Sequence, residues 1–149
     1  MITGNRATEA KIRAGHCESV ESRSPFELFL TVFEDDGETG YFYALDLTRE
    51  HGRKIVDALQ IYTVKEEFGD VNESVVRIIW SPDGVKSGLE LNGTLQAVFD
   101  FGEKVGCSLS GFPAPPSDGW RRAPGQTADQ IASFFSSRSV PPQGKQEAK

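Results

Sequence analysis

The sequence predicts a mainly β protein: an antiparallel meander of about seven strands, forming a twisted sheet that curls into a half-barrel or splits into two layers, with one C-terminal helix packed on it. Three stretches carry that expectation. Phe26 to Glu34 and Tyr41 to Leu47 are aromatic and aliphatic runs that flank an acidic, Gly-bearing connection, the pattern of a β-hairpin. Asn92-Gly93 stands between two alternating runs, and a tight type I′ turn needs the positive φ that these residues supply most cheaply. Thr127 with Gln130 makes a capping box ahead of Ile131, Phe134 and Phe135, which share one helical face.

Taken in order, residues 1–10 are polar and expected to be flexible, residues 11–136 form a single β-rich domain, and residues 137–149, rich in Ser, Pro, Gln and Lys, form a disordered tail. Lys11 to Cys17 reads as a short edge strand. In the first hairpin arm, Phe26, Leu28, Leu30 and Val32 share a face opposite Glu27, Phe29, Thr31 and Phe33. In the second arm, Tyr41, Tyr43, Leu45 and Leu47 oppose Phe42, Ala44 and Asp46. A strand pair apolar on both faces is expected to be covered on both, so the hairpin is placed centrally. Ile55 to Val64 is a third strand, and Lys65 to Ser74 a loop with at most one helical turn.

Val75 to Ser81 is β-branched and ends in Trp80, which makes it a strand. Ser81-Pro82-Asp83-Gly84 is a turn. The next strand sets Val85, Ser87, Leu89 and Leu91 against Lys86, Gly88, Glu90 and Asn92, so that second face is expected to be wet. After Asn92-Gly93, Leu95, Ala97, Phe99 and Phe101 continue the apolar face, and Val105, Cys107 and Leu109 close the meander. Phe112-Pro113-Ala114-Pro115-Pro116 cannot supply a ladder of donors and should cross the sheet as a strap or rim. Trp120 should pin the following loop to the core.

The chain of 149 residues is long enough for one core without metal or disulfide staples. Its formal net charge of −6 equals that of the segment Phe26 to Glu50, where seven acids face one base. Such a balance argues against nucleic-acid and anionic-membrane binding and favours a basic protein partner. The polar start lacks the apolar stretch of a signal peptide, and no run spans a bilayer, so a cytoplasmic protein is expected. Cys17 and Cys107 have no metal or redox spacing and are expected to be two buried free thiols.

Glu34, Asp35, Asp36 and Glu38 present hard oxygen ligands around Gly37, but the spacing is not that of an EF-hand, and a solvated hairpin tip is expected rather than a metal site. Asp46 and Asp100 interrupt apolar strands. In a shared aromatic cleft they would form a general acid and base pair; otherwise each accepts hydrogen bonds from a neighbouring turn. Trp120 with Arg121 and Arg122 forms a small basic aromatic cluster that either binds a partner or anion or neutralises the acidic hairpin. His16 and His51 lie in polar connections without ligand spacing. No catalytic residue, metal or cofactor is assigned.

Phe33-Glu34-Asp35-Asp36-Gly37-Glu38-Thr39-Gly40-Tyr41-Phe42-Tyr43-Ala44-Leu45-Asp46 resembles the signature of a family of small bacterial proteins of unknown function. The resemblance extends through Ile55 to Leu59, Trp80 to Gly84, Ala97 to Phe101 and Gly111 to Pro113. It implies a bacterial cytoplasmic protein and carries over no functional residue. The expected function is that of a small soluble protein-binding module with an acidic hairpin rim, as in immunity or inhibitor proteins. The alternative is a small-molecule binder or enzyme using Asp46 and Asp100. A monomer and a homodimer, the latter paired through the Lys11 to Cys17 edge, are both compatible with the sequence.

Overall fold

The computed structural model describes residues 7–26, 28–50, 54–67, 73–115, 119–123 and 127–137. Ten strands are found among them: β1 (Ala7–Arg13), β2 (Ser19–Arg23), β3 (Phe29–Asp35), β4 (Thr39–Asp46), β5 (Ile55–Thr63), β6 (Glu73–Trp80), β7 (Lys86–Leu91), β8 (Thr94–Asp100), β9 (Val105–Ser108) and β10 (Arg121–Arg122). Two helices join them, α1 (Val64–Glu67) and α2 (Ala128–Ser136). The mainly β class with a C-terminal helix is as expected, and of the arrangements compatible with the sequence the strands take the two-layered one, dividing into two sheets. One has six strands in the order β1-β6-β7-β8-β9-β10, and the other four in the order β2-β3-β4-β5. The expected meander from Val75 to Ser110 is β6 to β9 of the larger sheet.

Three strands depart from the sequence reading. β1 starts at Ala7, within the stretch expected to be flexible, because it pairs residue for residue with β6 from Ala7↔Ile79 to Arg13↔Glu73. β2 was not expected at all. Its inward side chains are Val20 and Ser22, and Ser22 Oγ accepts hydrogen bonds from Trp80 Nε1 (2.9 Å) and Thr8 Oγ1 (3.0 Å). A strand that buries hydroxyls leaves little apolar alternation to read. β10 is a two-residue strand parallel to β9.

The core lies between the sheets. Phe33, Phe42 and Leu59 of the smaller sheet meet Val76, Ile78, Trp80, Leu89 and Phe99 of the larger, all with no exposed surface. Phe42 stacks on Phe99 at 5.0 Å and Phe29 on Phe101 at 4.2 Å, while Trp120 stands edge-on to both Phe99 and Phe101. Each such side chain contributes about 1.5–3 kcal/mol by leaving water. An ion pair crosses the same space: Arg122 reaches both carboxylate oxygens of Asp57 at 2.7 and 2.8 Å and also donates to Ala58 O and Pro113 O. The strap lies along the β5 edge, where Phe112 O accepts from Gln60 N at 2.8 Å.

The turns follow their sequence signals. Asn92 and Gly93 take φ of 52° and 86°, the pair of positive angles expected of them. Gly84 N donates to Ser81 O at 2.9 Å. Thr127 and Gln130 close the capping box on α2. That helix sets Ile131, Phe134 and Phe135 on Leu95, Val98 and Cys107, on the outer face of the larger sheet. The face of β7 expected to be wet is therefore covered, and Lys86 is buried. Its ammonium donates to Phe134 O (2.8 Å), Ser137 O (2.5 Å) and Ser137 Oγ (3.0 Å), which satisfies the carbonyls that end α2.

Candidate functional site

Alternation along β3 and β4 sorts their side chains between the core and the outside. Thr31, Phe33 and Asp35 point inward from β3, and Phe42 and Ala44 from β4. Leu30, Val32 and Glu34 therefore face outward, beside Leu45, Tyr43 and Tyr41 in register. The rows continue across the sheet: Arg23, Leu30, Leu45, Ile55; then Glu21, Val32, Tyr43, Ala58; then Ser19, Glu34, Tyr41, Gln60. Leu28 and Leu47 prolong the apolar pair of columns, joined by Leu47 N to Leu28 O at 3.0 Å. Leu28 is 47% exposed and Ile55 39%, and the residues between them are half-buried. Neither described helix lies across this face: α2 sits on the other sheet, and α1 continues β5 beyond its end. The hairpin expected to be covered twice is, among the described residues, covered by a packed element once.

Acids gather at one end of this face. Tyr41 and Tyr43 stack with ring centroids 5.7 Å apart and 18° between planes. Partial burial, helped by the charges of Glu34 and Asp36, pushes the Tyr43 phenol above its usual range. Glu21 in the Tyr43 row, Glu34 opposite Tyr41, and Asp36 and Glu38 of the hairpin turn are all exposed. Asp36 belongs to the turn, where its Oδ1 accepts from Glu38 N and Thr39 N, both at 2.9 Å. Those backbone donors, Thr39 first, hold its carboxyl below the usual carboxylate value.

Asp35 does not belong to the acidic rim. It is 1% exposed, and its oxygens accept from Gly15 N (2.8 Å), Gly37 N (2.8 Å) and the Tyr62 hydroxyl (2.5 Å). One side chain thus ties the β1–β2 turn, the hairpin tip and β5. Burial first, then the bond to Asp35, pushes the Tyr62 phenol far above its usual range. The Tyr62 ring lies so close to Gly40 that a Cβ there would come within 2.7 Å of it. The signal was present in the sequence, since Asp35 is in phase with Thr31 and Phe33; reading the stretch as a turn by composition hid it.

The remaining expected site residues are dispersed. Asp46 accepts from Thr48 N (2.9 Å) and Thr48 Oγ1 (2.6 Å), and Asp100, 2% exposed, accepts from Gly102 N (2.9 Å) and Glu103 N (3.1 Å). Each carboxylate closes its own turn. Trp120 is in the core, 6% exposed, and Arg121 is exposed with its guanidinium 3.9 Å from Glu103. The other arginine, Arg122, is half-buried, and it neutralises the buried Asp57 rather than the hairpin. Cys17, expected to be buried, is exposed, because it sits in the connection after β1 rather than within a strand, whereas Cys107 is buried, and burial raises its pKa. His51 lies outside the described residues. Among the described residues no three metal-ligating side chains come together, and no helix is long and apolar enough to cross a membrane.

The profile of a family described as an uncharacterized protein conserved in bacteria, DUF2251, matches residues 12–136. The chain belongs to this family. The matched span runs from the end of β1 through α2, so the four-stranded sheet with its outer face, and the six-stranded sheet apart from most of β1, lie within what the family has in common with this chain. A relative in Haemophilus influenzae, itself named an uncharacterized protein, is 43% identical over 90 residues. That alignment covers 60% of this chain and 55% of the relative, so the chain spans little over half of the relative's length. No solved structure matches the chain.

Proposed function

We propose that this member of the family is a non-enzymatic protein-binding module, and that its binding surface is the bare outer face of β3 and β4 with the acids at its tyrosine end. The observation that carries the reading is an apolar double column, Leu28-Leu30-Val32 beside Leu47-Leu45-Tyr43-Tyr41, left open on a folded sheet and edged by Glu21, Glu34, Asp36 and Glu38. Contiguous apolar surface of this kind, rimmed by charge, marks a protein partner more often than a small ligand. The sign of the rim selects a basic one and speeds its encounter. The enzyme reading has no comparable support, because Asp46 and Asp100 are both spent on local turns. A reducing cytoplasmic setting suits two cysteines that form no disulfide with each other.

The test is calorimetric titration against the products of neighbouring genes, with two variant sets beside the native chain. Val32→Lys places a charge in the apolar column, and Glu34→Gln with Asp36→Asn and Glu38→Gln neutralises the rim. A basic partner that binds the native chain, is lost with Val32→Lys and binds more slowly to the neutralised chain supports the reading. Binding that is indifferent to both sets moves the interface elsewhere and ends it.

A further inference from the structure

The rows of the bare face change character along the strands, from wholly aliphatic to aromatic and acidic. Leu30 and Leu45 stand opposite each other at one end; four residues along β3 from Leu30, Glu34 stands opposite Tyr41. Tyr43 lies between, its ring stacked with that of Tyr41. Arg23, the basic residue of β2, is beside Leu30, and thus at the aliphatic end rather than the tyrosine end. The tyrosine end presents two near-parallel aromatic rings and an exposed carboxylate in the same row, with Asp36 close enough to act electrostatically on Tyr43.

We infer that the tyrosine pair with Glu34 receives an arginine side chain of the partner, while Leu28, Leu30, Leu45 and Leu47 receive aliphatic residues next to it in the same segment. The inference rests on the binding face proposed above and names the chemistry of its occupant. A guanidinium is planar and lies flat on an aromatic ring, and its edge offers two parallel N–H donors to one carboxylate. Lysine can do only the part that a point charge does. At about 3.3 Å per residue along a strand, the Leu30 row and the Glu34 row are roughly 13 Å apart. An extended segment would therefore carry its arginine about four residues from its aliphatic anchor.

The probe is a synthetic peptide with leucines followed by arginines at alternate positions, compared with the same peptide carrying lysines. Each is titrated into the ¹⁵N-labelled full chain while the amide signals of Leu30, Glu34, Tyr41 and Tyr43 are followed. The arginine peptide is expected to bind about tenfold more tightly than the lysine peptide. Tyr43→Leu keeps the surface apolar and should narrow the difference between the two peptides, as should Glu34→Gln, and the two changes together should bring the peptides close to equal affinity. Equal affinity of both peptides for these residues of the native chain would overturn the arginine site while leaving the face standing as a basic-partner surface. Signals at these residues that move with neither peptide would overturn both.

Discussion

The outer face of the six-stranded sheet and the outer face of the four-stranded sheet are both apolar, yet among the described residues only the first has a helix packed across it. On the first, Leu95, Val98 and Cys107 lie beneath Ile131, Phe134 and Phe135 of α2, and Lys86 fastens the end of that helix. On the second, Leu28, Leu30, Val32, Tyr43 and Leu45 stay half open to solvent. The sequence reading has the two reversed, with a wet face at Lys86 and Gly88 and a doubly covered hairpin. Alternation reports which side chains share a face, but what covers that face is decided by where a helix some forty residues away comes to rest. The lesson is that apolar composition marks surface to be buried, and the structure then distinguishes burial within the chain from burial by a partner.

The comparison is tested most severely at Ile131, which has no exposed surface. Ile131→Ala should destabilise the protein by about 2–5 kcal/mol in urea unfolding, the range for deleting a large aliphatic side chain from a packed site. A loss under about 1 kcal/mol would mean that α2 rests on its sheet no more firmly than a surface element does. Lys86→Met keeps the aliphatic stem but removes the ammonium, leaving Phe134 O and Ser137 O without that donor. A cost of about 1–3 kcal/mol is expected, from losing hydrogen bonds to a charged group. Loss of helical circular dichroism ahead of the main transition would show that Lys86 holds the helix end in particular.

What was legible follows the same division. Asn92-Gly93, Ser81 to Gly84 and the Thr127 capping box are local signals, each complete within a few residues, and all three turned out as read. The sheet partners of β1 and β2 were not legible, because their pairing with β6 and β3 draws on residues far along the chain or on buried hydroxyls such as Ser22 and Thr31. Of the candidate site, the outward columns of β3 and β4 were sorted correctly by parity. Their exposure was not, and Asp35 was assigned to the wrong side because the turn was read by its composition. The neighbouring arginines show the limit of adjacency: the sequence groups Arg121 and Arg122 as one cluster, whereas Arg121 is exposed beside Glu103 and Arg122 pairs with the buried Asp57.

Alkaline titration separates an interior tyrosine from an exterior one. Tyr62 is 4% exposed and donates to Asp35, and its phenol is pushed well above the ordinary 10.0. A group whose pKa rises on folding contributes its full stabilisation below the unfolded value and loses it as pH climbs beyond, so stability should fall from about pH 10 upward. Tyr62→Phe should cost about 1–3 kcal/mol at neutral pH, by leaving a buried oxygen of Asp35 one donor short, and should flatten the alkaline decline. Tyr43→Phe should leave most of that decline in place, since Tyr43 is only partly buried. Urea midpoints measured across pH 8 to 11 would decide it; identical curves for the native chain and Tyr62→Phe would place the alkaline loss outside the core.

The smallest expected change in stability is the one that bears most on function. Leu28 is 47% exposed and Tyr43 half-buried on a face that no described helix crosses, so replacing both with serine removes little packing. Leu28→Ser with Tyr43→Ser should shift unfolding by no more than about 1 kcal/mol, with an unchanged dependence on urea, because single surface changes usually stay within about 0.5 kcal/mol. Binding should respond in the opposite proportion, since a tyrosine at the centre of an interface often dominates its energy although it contributes little to the fold that presents it. A loss of stability above about 2 kcal/mol would show that these side chains are packed in solution after all. The two outer faces would then be alike, and the case for a partner would lose the bare surface on which it stands.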